Sequence, residues 1–145
     1  MSFLRTAISI LLTGMLLTSC SEPRTSESEK TTNLDNMMVR IAALEIDSAY
    51  LDEYIAILKE ESSASVRLEP GVICIYPMFQ KEKPTQIRLL EIYANKEAYE
   101  AHLQTPHFKH YKTTTLNMVK SLELIDMEAI DPETMSTIFA KLGQR

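Results

Sequence analysis

Two apolar periods alternate along residues 37–127. Between Met37 and Asp47, Val39, Ile41 and Ala43 fall on one side and Arg40, Ala42 and Leu44 on the other. Both sides are mostly apolar, which predicts a strand covered on both faces. From Ser48 to about Leu68 the period lengthens. Leu51, Tyr54, Ile55 and Leu58 fall at i, i+3, i+4 and i+7, with Asp52, Glu53, Lys59 and Glu60 between them. That predicts an amphipathic helix capped by Asp47 or Ser48. Glu69-Pro70-Gly71 is turn chemistry, and Gly71 is free to take a positive φ there. A strand over Val72–Gln80, a polar hairpin loop over Lys81–Pro84 and a strand over Gln86–Ala94 follow. Asn95 caps a helix to about Gln104, and Thr105-Pro106 starts another to about Leu116. Val119–Met127 is the last strand. The order β-α-β-β-α-β, with its second helix split, is the ferredoxin-like α+β plan, placed here at residues 37–128. Over residues 129–145, Asp131-Pro132 opens a segment with Met135, Ile138, Phe139 and Leu142 at helical spacing. It predicts an amphipathic helix that packs on the domain or on a partner chain.

The first residues have a different pattern. Arg5 precedes an apolar run from Ala7 to Leu17. The run falls short of the ~20 residues that span a bilayer and has the layout of a secretory signal. It ends in Leu17-Thr18-Ser19-Cys20, which resembles the lipobox of bacterial lipoproteins. The resemblance implies that residues 1–19 are a signal peptide and that Cys20 becomes the lipidated amino terminus. Several acyl chains anchor stably where one does not. Residues 20–36 are rich in Ser, Thr, Glu and Asn, with Leu34 the single large apolar residue. Such a stretch cannot offset its ordering entropy and reads as a flexible tether. The expected location is the bacterial cell envelope, on a membrane, periplasmic or outer-surface.

Composition narrows the functions. A chain of 145 residues fits one domain with a tail. Its 15 Lys and Arg against 20 Asp and Glu give a net charge of −5. No nucleic-acid partner is expected, because phosphate neutralisation needs a basic face. Membrane attachment would rest on the lipid and not on a basic patch. The 3 Gly residues cannot write a glycine-rich phosphate cradle. The 2 Cys residues exclude a disulfide framework and a cysteine zinc site. Cys74, mid-strand, reads as a buried small hydrophobe.

The candidate chemistry is concentrated. His102, His107 and His110 fall within nine residues, and His107 and His110 share a helix face. Imidazole suits proton transfer near neutral pH. With Glu91, His107 and His110 could also reach one metal ion, although helical spacing makes such pairs common. Glu91 shares its strand face with Leu89 and Tyr93, whereas Arg88 points to the opposite face. A carboxylate among apolar neighbours needs a partner or a raised pKa, so a histidine or backbone partner is expected. Tyr76, Met78, Phe79, Tyr93, Phe108 and Tyr111 are candidate pocket walls, with plain core the favoured reading of each.

Three segments carry a resemblance to a known family: Glu69-Pro70-Gly71 leading into a strand, Leu90-Glu91-Ile92-Tyr93 before a helix, and His102-Leu103-Gln104-Thr105-Pro106-His107-Phe108. Together they resemble the antibiotic biosynthesis monooxygenases, especially the small quinol-monooxygenase-like members. The resemblance implies a homodimer of ferredoxin-like units forming an α+β barrel, with a pocket in each subunit. It implies no metal and no other cofactor. His102 and His107 match the family pattern and His110 does not. Tyr93 stands where Trp is often found, and the chain has no Trp, which argues against haem degradation. The expected function is cofactor-independent oxidation of a quinol-like or polyketide-like aromatic substrate by O2. The expected catalytic residues are His107, His102 and Glu91, with Tyr76, Tyr93, Phe108 and Tyr111 around the substrate. Two alternatives stay open: proton-transfer isomerisation of a small dicarbonyl, and small-molecule binding without catalysis.

Overall fold

Four antiparallel strands carry the helices on one face. In order they are β1 (Met38–Ile46), α1 (Leu51–Leu68), β2 (Val72–Gln80), β3 (Lys83–Tyr93), α2 (Lys96–His102), α3 (Pro106–Thr115), β4 (Val119–Met127) and a short α4 (Met135–Ile138). The strand order is β2-β3-β1-β4, and every pair is antiparallel. This is the ferredoxin-like βαββαβ fold. The structure, a computed structural model, describes residues 34–138 and 140. The expected signal peptide, Cys20, nearly all of the tether, Phe139 and Leu142 lie outside the described residues. Among the described residues no helix is long and apolar enough to cross a membrane.

Strand alternation sorts the side chains. Ala42, Leu44 and Ile46 of β1, with Ile87, Leu89 and Tyr93 of β3, are buried under Tyr54 and Leu58 of α1. The register runs one row across all four strands: Ile75 faces Glu91, Glu91 faces Arg40, and Arg40 faces Asp126. Two carboxyls and a guanidinium therefore sit side by side on the helix-covered face. The opposite face holds Val39, Ile41 and Ala43, with exposed Tyr76, Met78, Ile125 and Met127 toward its edges. β1 was expected to be covered on both faces, but among the described residues only one face is covered.

Local chemistry sets the element ends. The Asp47 carboxylate accepts from the Ala49 N–H at 2.9 Å and caps a 3-10 turn over Ser48–Tyr50, from which α1 continues. Asn95 Oδ1 accepts from the Ala98 N–H at 2.8 Å, and Thr105 Oγ1 from the Phe108 N–H at 3.3 Å. Both are helix caps at the expected residues. β3 starts earlier than expected, at Lys83, and the hairpin loop shrinks to Lys81-Glu82. Pairing of β3 with β1 begins only at Gln86, so the missing donor of Pro84 interrupts no ladder on that side.

Gly71 corrects another expectation. Its φ is not positive. A Cβ there would lie 2.5 Å from the Ala98 Cβ, so glycine is required for the close approach of α2. The Gly71 carbonyl also accepts from the Ala94 N–H at 2.8 Å. Gly71→Ala should destabilise the fold by about 1–3 kcal/mol. A urea titration would read this as a lower midpoint with unchanged slope.

Candidate functional site

A cavity of about 220 Å³ lies between the helix-covered face of the sheet and α1, α2 and α3. Arg40 and Glu91 from the sheet, Glu61 from α1, His102 from α2 and Phe108 and Tyr111 from α3 all line it. Exposed Leu122 and Leu124 of the β4 edge complete the wall. The cavity is thus apolar in outline with polar groups set into it, the usual form of a small-molecule site.

His102 is 2% exposed and fixed from two sides. Its Nδ1 lies 3.0 Å from Glu69 Oε1, and its Nε2 lies 3.6 Å from Glu61 Oε1. His107 Nε2 reaches the same Glu69 oxygen at 2.5 Å. Burial pushes the Glu69 carboxyl up, but the hydrogen bonds from His102 and His107 outweigh it and hold the group below the usual carboxylate range. A carboxylate only accepts, so His102 Nδ1 donates to Glu69, the tautomer that leaves Nε2 as the ring's acceptor position. The helix junction enforces this arrangement. Thr105 Oγ1 donates to the His102 carbonyl at 2.8 Å, and Pro106 at the first position of α3 starts the turn that carries His107.

The other carboxyls behave oppositely. Burial pushes Glu91 above its usual range, against the opposing Tyr93 hydroxyl, His102 and Arg40. Tyr93 Oη donates to Glu91 Oε2 at 3.2 Å. Burial likewise pushes Glu61 up, although Ser65 Oγ donates to its Oε1 at 2.9 Å. Tyr54 and Tyr111 join hydroxyls at 2.7 Å, and burial pushes Tyr111 up to about 12. For Glu91 the stability consequence has a definite sign. An acid with a raised folded pKa keeps its proton longer in the native state, so stability falls as pH rises from the unfolded carboxyl value through the folded one. The Tm advantage of Glu91→Gln over wild type should grow across that window. A pH series of melting curves reads it, and a constant difference contradicts it.

Glu69, His102 and His107 form the His/carboxylate cluster that could hold an ion among the described residues. The geometry fits shared protons better. Metal bonds of about 2.0–2.2 Å in a tetrahedral site put ligand atoms ~3.3 Å apart, whereas the Glu69 contacts are 3.0 and 2.5 Å. The ion site considered from His107, His110 and Glu91 does not assemble: His110 is exposed, and His107 faces Glu69.

The structure brings together His102, Glu91, Tyr93, Phe108 and Tyr111 on the cavity wall. His107 stands behind that wall, on Glu69. Tyr76 does not reach the cavity. It pairs with Leu90 on the opposite sheet face and is 55% exposed. Sequence reasoning missed Arg40 and Glu61 and read Glu69 only as part of a turn. Glu61 had a legible signal, because it extends the buried stripe of Tyr54, Leu58 and Ser65 on α1.

Comparison with known proteins agrees with this architecture. The sequence profile described as antibiotic biosynthesis monooxygenase matches residues 37–114, more than half of the chain. A Bacteroides thetaiotaomicron VPI-5482 crystal structure classed with these monooxygenases is 50% identical, covers 70% of this chain and 96% of its own, and superposes with a TM-score of 0.69. A Lactobacillus acidophilus NCFM protein classed as a monooxygenase is 32% identical over 65% of this chain and 45% of its own, with a TM-score of 0.64. A Nitrosomonas europaea structure shares the fold at 19% identity, covering 67% of this chain and 93% of its own, with a TM-score of 0.63. No curated protein matches the chain significantly. By profile and by structural kinship, this chain belongs to the antibiotic biosynthesis monooxygenase family.

Proposed function

We propose that the chain is a cofactor-independent monooxygenase that oxidises a quinol-like aromatic substrate with O2. One observation carries the reading: a buried imidazole, oriented by Glu69 at Nδ1, presents Nε2 beside a cavity that also holds Glu91 and Arg40. His102 is the general base and Glu69 positions it. His102 Nε2 takes a proton from a substrate hydroxyl. The anion passes an electron to O2, and the two radicals join at a ring carbon to give a hydroperoxide. Loss of water leaves one oxygen atom on the ring as a hydroxyquinone. All four electrons that reduce O2 come from the hydroquinone, so no external reductant is consumed. The Glu91 carboxyl, which burial pushes up, faces the developing negative oxygen, and Arg40 on the same wall helps to hold the substrate.

The uncovered sheet face, with Val39, Ile41, Tyr76, Met78 and Ile125, supports a homodimer joined there, since so much apolar surface is unusual on a monomer. The lipobox-like Leu17–Cys20 segment supports a lipid anchor in the cell envelope, close to lipid-soluble quinols. The test is O2 consumption by the full chain with hydroquinone substrates, set against autoxidation. Turnover above background that falls in His102→Asn supports the reading, and no turnover above background opposes it.

A further inference from the structure

Arg40 shares its strand face with the core residues Ala42 and Leu44, and its side chain is 11% exposed. A guanidinium in that position must be held by partners. Its Nε donates to Asp126 Oδ1 at 2.7 Å, and its Nη2 reaches the same oxygen at 2.6 Å. The guanidinium carbon lies 4.7 Å from the Tyr99 ring centroid, a stacking arrangement that arginine favours. Neither bond to Asp126 uses Nη1. The Asp126 side chain is 72% exposed, so it can turn back to water at small cost.

The charge around the cavity points the same way. The chain as a whole carries a net charge of −5, yet Arg40 and Lys112 put two cations on this wall. The carboxyls opposite them, Glu61 and Glu91, are pushed by burial toward their neutral forms. Arg40 and Lys112 are the groups on this wall that attract an anionic ligand, and the exposed Asp126 carboxylate is the group that competes for Arg40. Size sets a second limit. At about 220 Å³ the cavity is smaller than the roughly 300–1,000 Å³ of sites for drug-sized ligands. It has room for one ring or two fused rings, and a three-ring polyketide would project past Leu122 and Leu124.

We propose that the site selects a one- or two-ring hydroxyaromatic that carries its own carboxylate, and that Arg40 is the specificity residue that binds it. The ring then lies among Leu89, Tyr93 and Phe108, with its hydroxyl toward His102. Only the hydroxyl's role rests on the oxygenase reading. The charge preference is a binding property and can be measured without O2.

The experiment is anaerobic calorimetry on the full chain with three probes: hydroquinone, 2,5-dihydroxybenzoate and 2,5-dihydroxybenzamide. One charge-assisted contact should make the carboxylate bind about tenfold to a hundredfold more tightly than the neutral carboxamide. Arg40→Met should collapse that ratio. Asp126→Asn removes the competing carboxylate and should raise it. Equal binding of the two probes by wild type, no binding of the carboxylate at millimolar concentration, or a ratio that survives Arg40→Met would overturn the proposal. The wild-type comparison decides even where Arg40→Met does not fold. A preserved binding preference with no O2 uptake would remove the oxygenase reading and leave this one standing.

Discussion

His102→Asn should lower turnover on a hydroquinone by about 10²–10⁴-fold, the usual contribution of a positioned general base, while leaving the fold in place. The choice of asparagine matters. Its amide N–H₂ lies close to the position of His102 Nδ1, so a donor to Glu69 is kept. Nothing replaces Nε2, the atom beside Glu61 and the cavity. His107→Asn is the control. His107 also bonds Glu69 but does not line the cavity, so its loss should cost less than about tenfold in turnover and appear mainly in stability. Equal turnover losses in the two variants would mean that the base has been assigned to the wrong imidazole.

Glu69 carries the second large effect. Its carboxylate accepts from two imidazoles at once, and Glu69→Ala leaves both ring donors without their acceptor. A loss of about 2–4 kcal/mol is expected. The pH dependence has a fixed sign. The folded pKa of Glu69 is lowered, so its contribution is present above the unfolded carboxyl value of about 4.3 and is lost as pH falls through the folded value. The stability gap between wild type and Glu69→Ala should stay constant above about pH 5 and close in acid. Glu69→Gln separates position from charge. Its amide oxygen can stand in the place of Oε1, the oxygen both rings approach, so both ring donors keep an acceptor and only the charge is lost. Turnover should then fall less than in His102→Asn, with less loss of stability than in Glu69→Ala.

The fold was legible because each local signal agreed with the global plan. The bounds of β2 and β4, and the caps Asp47, Asn95, Thr105 and Asp131, were readable from periodicity and side-chain chemistry. The errors came from tertiary context. Gly71 reads as a turn residue in sequence, but its reason is the Ala98 methyl 2.5 Å from its would-be Cβ. The opening residues of β3 looked like loop because Pro84 weakens a strand reading. The strand overhangs β1 there, so the proline is harmless.

The site was legible only in part, for the same reason. His102 and Glu91 stood out as titratable residues next to apolar ones. The partners that place the imidazoles lie far away in sequence: His102 reaches Glu69 across 33 residues and Glu61 across still more, His107 reaches Glu69 across 38, and no helical or strand period connects such distant positions. Tyr76 failed because β2 is irregular. Its pairing with β3 shifts between Val72 and Cys74, so alternation counted from the strand start does not place the later residues. Arg40 stood in the strand pattern of β1 but was not read as a site residue. Its partners, Asp126 on β4 and Tyr99 on α2, became apparent only once the strands were paired.

The central claim is that this chain inserts one atom of O2 into a hydroxyaromatic ring using His102 and no external reductant. The most direct measurement is turnover of the full chain under ¹⁸O₂, with mass analysis of the product and of residual O2. The account predicts one labelled oxygen atom per product molecule, one O2 consumed per substrate, and loss of both in His102→Asn. Unlabelled product, or label incorporated equally by wild type and His102→Asn, would contradict it.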